Sequence, residues 1–425
     1  MKHFTVALVT IFTIFLGSSV YGQDEDLYQD IYFENEVYTD YIKSVEFGHN
    51  NVELSLPIID LNSGGVLRLE FDDIEGEFKQ YIYSLVHCDR DWNPTPFFDD
   101  QMFLDGFNNE EIDGFSYSSN GYSDYTHYTL TLPNDDVRWT ISGNYLLIIR
   151  DDDLDIPVLT RRFIVTEDLV STSLKFTRPQ NNSKQRTHHE FDIAINYEKL
   201  RISRPREELS ITILQNGNWE TAKYNMIGDY ERGKNLIYDQ YDVYNFPALR
   251  EFRNFDIRNT DSRTQFVRRI HRGEDATYVT LDTTLQRLNR SYRTEDDANG
   301  YFIIDNERYP DPDVSSEYAY VSFALACDSP VEGDIYVLGA FSDWKPRKEY
   351  KLNYDSTTEL WTNTALFKQG YYDYTYANVV NGEVSLENIE GNWYETENDY
   401  QIIVYYKEFA SEYDRVLDVL NMGYN

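Results

Sequence analysis

An all-β chain, three tandem antiparallel β-sandwich domains behind a cleaved signal peptide, is the architecture this sequence predicts. Two patterns carry that expectation. Short segments along the whole length alternate apolar and polar residues with a period of two, and turn-forming residues separate them, whereas no long amphipathic helical pattern occurs. Composition agrees, with Tyr 37 and Phe 24 against Met 4, because aromatic and β-branched side chains suit half-buried pleated surfaces.

The first residues read as an export signal. Met1, Lys2 and His3 supply a positive start, and Phe4 to Leu16 supply an apolar run too short to span a bilayer. Small residues at Val20 and Gly22 place cleavage between Gly22 and Gln23. No cysteine follows the run, so a lipid anchor is not expected. No later stretch approaches the roughly 20 apolar residues of a membrane helix.

Residues 23–40 form an acidic, Tyr-rich arm with two readings: a solvated extension, or a segment whose tyrosines pack on the first domain or on a partner. Residues 41–168 make the first sandwich. Val52, Leu54 and Leu56 alternate with polar residues, as do Leu67, Leu69 and Phe71, and then Tyr128, Leu130 and Leu132. The segments 144–149 and 158–165 flank the acidic turn 151–155 as a hairpin. Residues 169–309 make an Arg-rich second sandwich, with Phe191, Ile193 and Ile195 in alternation and Asn216-Gly217 and Asn299-Gly300 as turns that need positive φ. Pro310-Asp311-Pro312-Asp313 reads as part of a linker, 310–316. A third sandwich over 317–410 carries Val321, Phe323 and Leu325, then Tyr372, Tyr374 and Tyr376, then Ile402, Val404 and Tyr406. Residues 411–425 are a tail.

The formal charge of −36 repels nucleic acid and anionic membranes and excludes both as partners. Cys88 and Cys327 each end an alternating strand and read as buried free thiols, although one bridge between domains is the alternative. No phosphate loop, Gly-x-Ser-x-Gly elbow or metal-spaced cysteine pair occurs, so the chain is read as not an enzyme, without cofactor or metal. Asp151, Asp153 and Asp155 imitate the start of a calcium loop, but Ile156 and Arg162 stand where Gly and Glu are needed. His188, His189 and Glu190 alternate across a strand and cannot readily share one ion. The arginines Arg250, Arg253, Arg258, Arg263, Arg268, Arg269 and Arg272 form a candidate partner contact, since Arg is enriched in polar, tight interfaces. Internal pairing with the surplus carboxylates is the plainer reading of the same band.

Two resemblances follow from longer motifs. The stretch Val337-Leu338-Gly339-Ala340-Phe341-Ser342-Asp343-Trp344, with Leu360-Trp361 and Gly370-Tyr371-Tyr372-Asp373-Tyr374, resembles the early-set immunoglobulin-like modules that bind starch and glycogen. That likeness implies Trp344, Trp361 and Tyr372 as candidate glycan contacts, and an exported glycan-binding protein as the alternative function. Over nearly the full length the chain resembles the plug proteins of the Bacteroidota type IX secretion system. Leu85-Val86-His87-Cys88-Asp89-Arg90-Asp91-Trp92, Tyr125-Thr126-His127-Tyr128, Ser142-Gly143-Asn144-Tyr145, Glu251-Phe252-Arg253-Asn254-Phe255-Asp256 and Glu390-Gly391-Asn392-Trp393-Tyr394 carry it. This resemblance implies a non-catalytic periplasmic protein, soluble or peripherally bound to an outer-membrane complex. Its partner would be the giant β-barrel translocon, whose periplasmic mouth it closes.

Overall fold

The computed structural model describes residues 28–424 apart from 97–98, 120–122, 329–330 and 410, so the expected cleavage site at Gly22 and Gln23 lies outside the described residues. The chain is all-β, its few helices being single turns such as Pro205–Glu208 and Glu387–Glu390. Among the described residues no helix is long and apolar enough to cross a membrane.

The first unit places two sheets face to face. One runs Glu36–Val37, Ile156–Thr166, Gly143–Asp151, Tyr81–Cys88, Glu110–Glu111, with Ile58–Asp60 added in parallel to Ile156–Thr166. The other runs Ile42–His49, Leu67–Asp73, Thr126–Leu132, Gly114–Tyr117. The alternating residues Leu67, Leu69, Phe71, Tyr128 and Leu130 meet Tyr81, Tyr145, Leu147 and Phe163 in the core between them. Val52, Leu54 and Leu56 do not form the expected strand. Leu54 has φ 56°, Val52 is 58% exposed, and the segment is a loop.

Gly143–Asp151 explains how the units stack. Tyr145, Leu147 and Ile149 face the first core, while Leu146 and Ile148 on the opposite face join Val86, Cys88 and Ile164 against Leu214, Ile403, Tyr405 and Val416 of the second unit. A near-continuous apolar run is the signature of a strand buried on both faces. Cys88 is buried in this inter-unit layer, whereas Cys327, also expected to be buried, is half-buried; both cysteines are free thiols.

The second sandwich differs from the expected 169–309. One sheet, built on Ser171–Thr177 and His188–Asn196, faces another ordered Asn218–Met226, Leu209–Gln215, Asn398–Tyr406, Arg415–Tyr424. Ile402, Val404 and Tyr406, expected in the third domain, therefore belong to the second core, and the expected tail supplies its edge strand. Asn216 and Gly217, at φ 53° and 65°, make the tight turn between Leu209–Gln215 and Asn218–Met226.

The third unit is inserted between these two parts of the second. Its sheet path begins at Arg253–Asp256, passes through Gly370–Val380, Asp334–Leu338, Lys351–Asp355, Leu360–Lys368, Tyr318–Ala326 and Thr277–Leu281, and ends at Val267–Arg272. The path folds over on itself: Phe255 on its first strand meets Phe323 and Phe367 at ring separations of 5.6 and 5.3 Å. Alternation marks which residues point inward but not which sheet they enter, so strands assigned by adjacency in sequence were misplaced between units.

Candidate functional site

The three units meet around a cavity of about 590 Å³. Glu46, Arg68, Glu70, Arg161 and Arg162 line it from the first unit, Trp219 from the second, and Tyr301, Asp313, Asp343 and Trp344 from the third. The loop that replaces the expected strand at 52–56 forms part of its wall.

The acidic arm is fastened at the rim of this cavity, so its packed reading applies to residues 28–40. Tyr28 and Phe33 pack into the inter-unit layer. Glu36 pairs with Lys345 at 2.9 Å and Arg347 at 2.6 Å on the third unit. Burial raises the Glu36 carboxyl pKa, but the charges of Arg347 and Lys345 outweigh it and the net shift is downward. Arg162 donates to the Phe33 carbonyl and lies over the rings of Trp92 of the first unit and Trp219 of the second, at 4.5 and 5.3 Å. One guanidinium thus holds arm, first unit and second unit together.

A buried charge cluster joins the first unit to the third. On Leu67–Asp73 the apolar residues face the core, which leaves Arg68, Glu70 and Asp72 on the outer face, where alternation places solvent. The third unit covers that face. Asp72, 0% exposed, accepts from Lys368 Nζ at 2.6 Å and Tyr318 Oη at 2.6 Å, and it meets His127 Nδ1 at 2.7 Å. Lys368 also donates to the Asp313 carbonyl and sits 4.3 Å from the centre of the Tyr125 ring. Tyr125 in turn donates to the carbonyls of Asp313 and Ser316. Residues 310–316, expected as a linker, are therefore a clamped junction. Burial pulls the His127 pKa down, yet the hydrogen bonds that the protonated ring donates to Asp72 and Glu70 prevail and raise it to about 9. Glu46, facing the cavity, is pushed up to about 8 by burial and by the charges of Glu70 and Asp313.

Ligand atoms of Glu70, His127 and Asp313 lie within 4.8 Å of one another, close enough to share a metal ion. Arg68 already fills that electrostatic role, 2.6 Å from Glu70 and 3.2 Å from Asp313. The arrangement provides cohesion between units.

The covered face belongs to the sandwich that begins at Ile42 and ends at Thr166. Residues 42–167 match the family of the type 9 secretion system plug protein 1st domain. No curated protein matches the chain. Among solved structures, the crystal structure of a hypothetical protein from Parabacteroides merdae ATCC 43184 is similar at a TM-score of 0.88 and 28% identity, covering 93% of this chain and 100% of that one. The plug-domain match thus spans the first unit, and the likeness to the Parabacteroides structure extends across all three.

Beside the plug-domain region, the expected contact residues fall into two groups. Arg250 is 6% exposed and donates to the carbonyls of Arg287, Arg290 and Ser291. Arg253 pairs with Glu390 at 2.9 Å. Arg250 is thus buried and Arg253 half-buried, and both are engaged within the chain. Arg258 pairs with Asp256, and Arg272 with Asp261. Arg263 bonds the Arg268 carbonyl, and Arg268 and Arg269 are exposed. Of the glycan candidates, Tyr372 is a core residue, 2% exposed, and Trp361 is half-buried beside Tyr354. Trp344, 8% exposed, packs on Phe252 at 5.6 Å and over Gly300, whose φ of 86° and missing Cβ admit the ring. No open aromatic platform results from these three. Trp344→Ala is expected to lower stability by roughly 3 to 5 kcal/mol, the cost of deleting a buried large aromatic; chemical denaturation measures it, and a loss below about 1 kcal/mol would mean the ring is not structural.

Sequence reading did not single out Asp72 or Lys368, and it named His127 and Glu390 only inside longer family-like stretches, without a role. The available signal was weak: Lys368 closes the apolar run Ala365-Leu366-Phe367, and His127 interrupts the strand-like run before Tyr128.

Proposed function

We propose that the protein is a non-catalytic plug of the type IX secretion system, a periplasmic body that closes the periplasmic mouth of the outer-membrane translocon. The observation that carries this reading is the match of residues 42–167 to the plug protein 1st domain. A stopper must resist deformation, and the locked junction of the three units supplies that property: the Asp72 cluster, the Arg162 bridge and the apolar layer around Cys88 each tie separate units. Release requires a polar, reversible contact rather than a large apolar seal. The acidic exterior suits that contact. Glycan binding is not favoured, because Trp344 and Tyr372 are committed to packing.

Deletion tests the reading. Cells lacking the protein should admit large dyes or antibiotics that the outer membrane excludes, but only while they still make the translocon. An unchanged barrier after deletion, with no translocon component co-purifying with the protein, removes the assignment.

A further inference from the structure

The sheet of the third unit ends at a free edge. Val267–Arg272 is the last strand of its path and, among the described residues, pairs with Thr277–Leu281 as its one strand neighbour, with a bulge between Val267 and Arg269, while the Arg263 side chain donates to the Arg268 carbonyl. Residues 262–273 contain no acid and carry Arg263, Arg268, Arg269, His271 and Arg272 in a chain of net charge −36. Among the described residues Arg268 and Arg269 have no carboxylate within ion-pair distance, although they are exposed on an acid-rich molecule. On the outer face of the same sheet His271, Tyr278 and Tyr320 lie side by side in register. Tyr278 and Tyr320 stack at 5.5 Å and are 38% and 39% exposed.

An open edge offers unpaired backbone N–H and C=O groups, and positive side chains along it repel another copy of the same edge. Those charges attract an acidic strand. The exposed rings give such a strand an apolar surface beside the edge, while at physiological ionic strength charges beyond about 8 Å are largely screened. Asp261 already neutralises Arg272, so Arg268 and Arg269 are the charges on this edge left to meet an acidic strand. We propose that Val267–Arg272, with Tyr278 and Tyr320, is a docking edge for an acidic extended polypeptide segment that adds to the sheet as a further strand. This goes beyond the plugging role and stands without it.

The test uses the purified full chain and about ten-residue labelled peptides that alternate Asp or Glu with Val or Tyr. Fluorescence anisotropy should show saturable binding that is at least about tenfold weaker for the Asn/Gln counterpart, for a peptide with prolines at alternate positions, and for the exposed-site variant R268E/R269E. Circular dichroism would verify that this variant folds. Amides of Val267–Arg272 should exchange more slowly in the complex. No saturable binding at millimolar peptide, or equal binding by R268E/R269E or by the proline peptide, would overturn the proposal and leave the arginines as guards against self-pairing. Because this experiment needs neither cells nor translocon, its failure leaves the permeability test of the plug reading untouched.

Discussion

Lys368→Met is expected to destabilise the protein by about 3 kcal/mol, because it removes one of the two cations facing the buried Asp72 carboxylate and leaves His127, at 2.7 Å, as the other. The Lys368 and Asp72 side chains are almost fully buried, at 1% and 0% exposure. Asp72→Asn alone and combined with Lys368→Met completes a double-mutant cycle, and chemical denaturation of the four proteins measures the coupling of the pair. A Lys368→Met loss under about 1 kcal/mol would show that water reaches the pair and that the junction is not a dry latch. The same cluster sets a pH dependence. His127 is raised to about 9 in the folded protein from an ordinary 6.5, so its contribution is complete below pH 6.5 and disappears as pH climbs through 9, about 3 kcal/mol in all. Glu46, raised to about 8, acts in the same direction, because the folded state resists its ionisation between pH 4.5 and 8 while the unfolded chain does not. Stability should therefore fall from pH 6.5 to 9, and His127→Gln should flatten that slope.

Glu390→Gln should have a comparable effect within the third unit and the opposite pH signature. Glu390, 2% exposed, receives Arg253 at 2.9 Å and Arg287 at 2.5 Å. Burial alone would raise its carboxyl, but the two guanidinium groups prevail and hold it at about 2. Its contribution is present above pH 4.5 and lost as pH falls through 2, about 3 kcal/mol. The amide variant leaves the half-buried Arg253 without a carboxylate partner and Arg287 with only Glu295, at 3.9 Å, and a loss of about 3 kcal/mol is expected at neutral pH. Acid titration followed by near-ultraviolet circular dichroism would separate this step from the alkaline one at His127. If wild type and variant lose stability identically between pH 4.5 and 2, the triad is not the source.

The strands of the first unit were legible because each has one apolar face: Leu67, Leu69 and Phe71 read inward from sequence and are buried. The 151–155 hairpin and the Asn216-Gly217 turn were legible through local chemistry, acidic or positive-φ residues between apolar runs. The segment 52–56 misled because alternation there is carried by a loop that lines the cavity. The arginine band could not be sorted from sequence, since Arg253 and Arg269 look alike until Glu390 is brought beside one and solvent beside the other.

Sequence by itself determined the all-β class, the faces of most strands and the turns between them, all of which depend on residues a few positions apart. Tertiary structure alone decided that Asn398–Tyr406 and Arg415–Tyr424 complete the second sandwich and that the third unit is inserted within it. It also decided that Asp72, outward on its strand, is buried. Period-two patterning specifies inside and outside relative to one sheet. Whether that outside meets water or another unit depends on contacts such as Asp72 with Lys368, whose partners lie far apart in the chain.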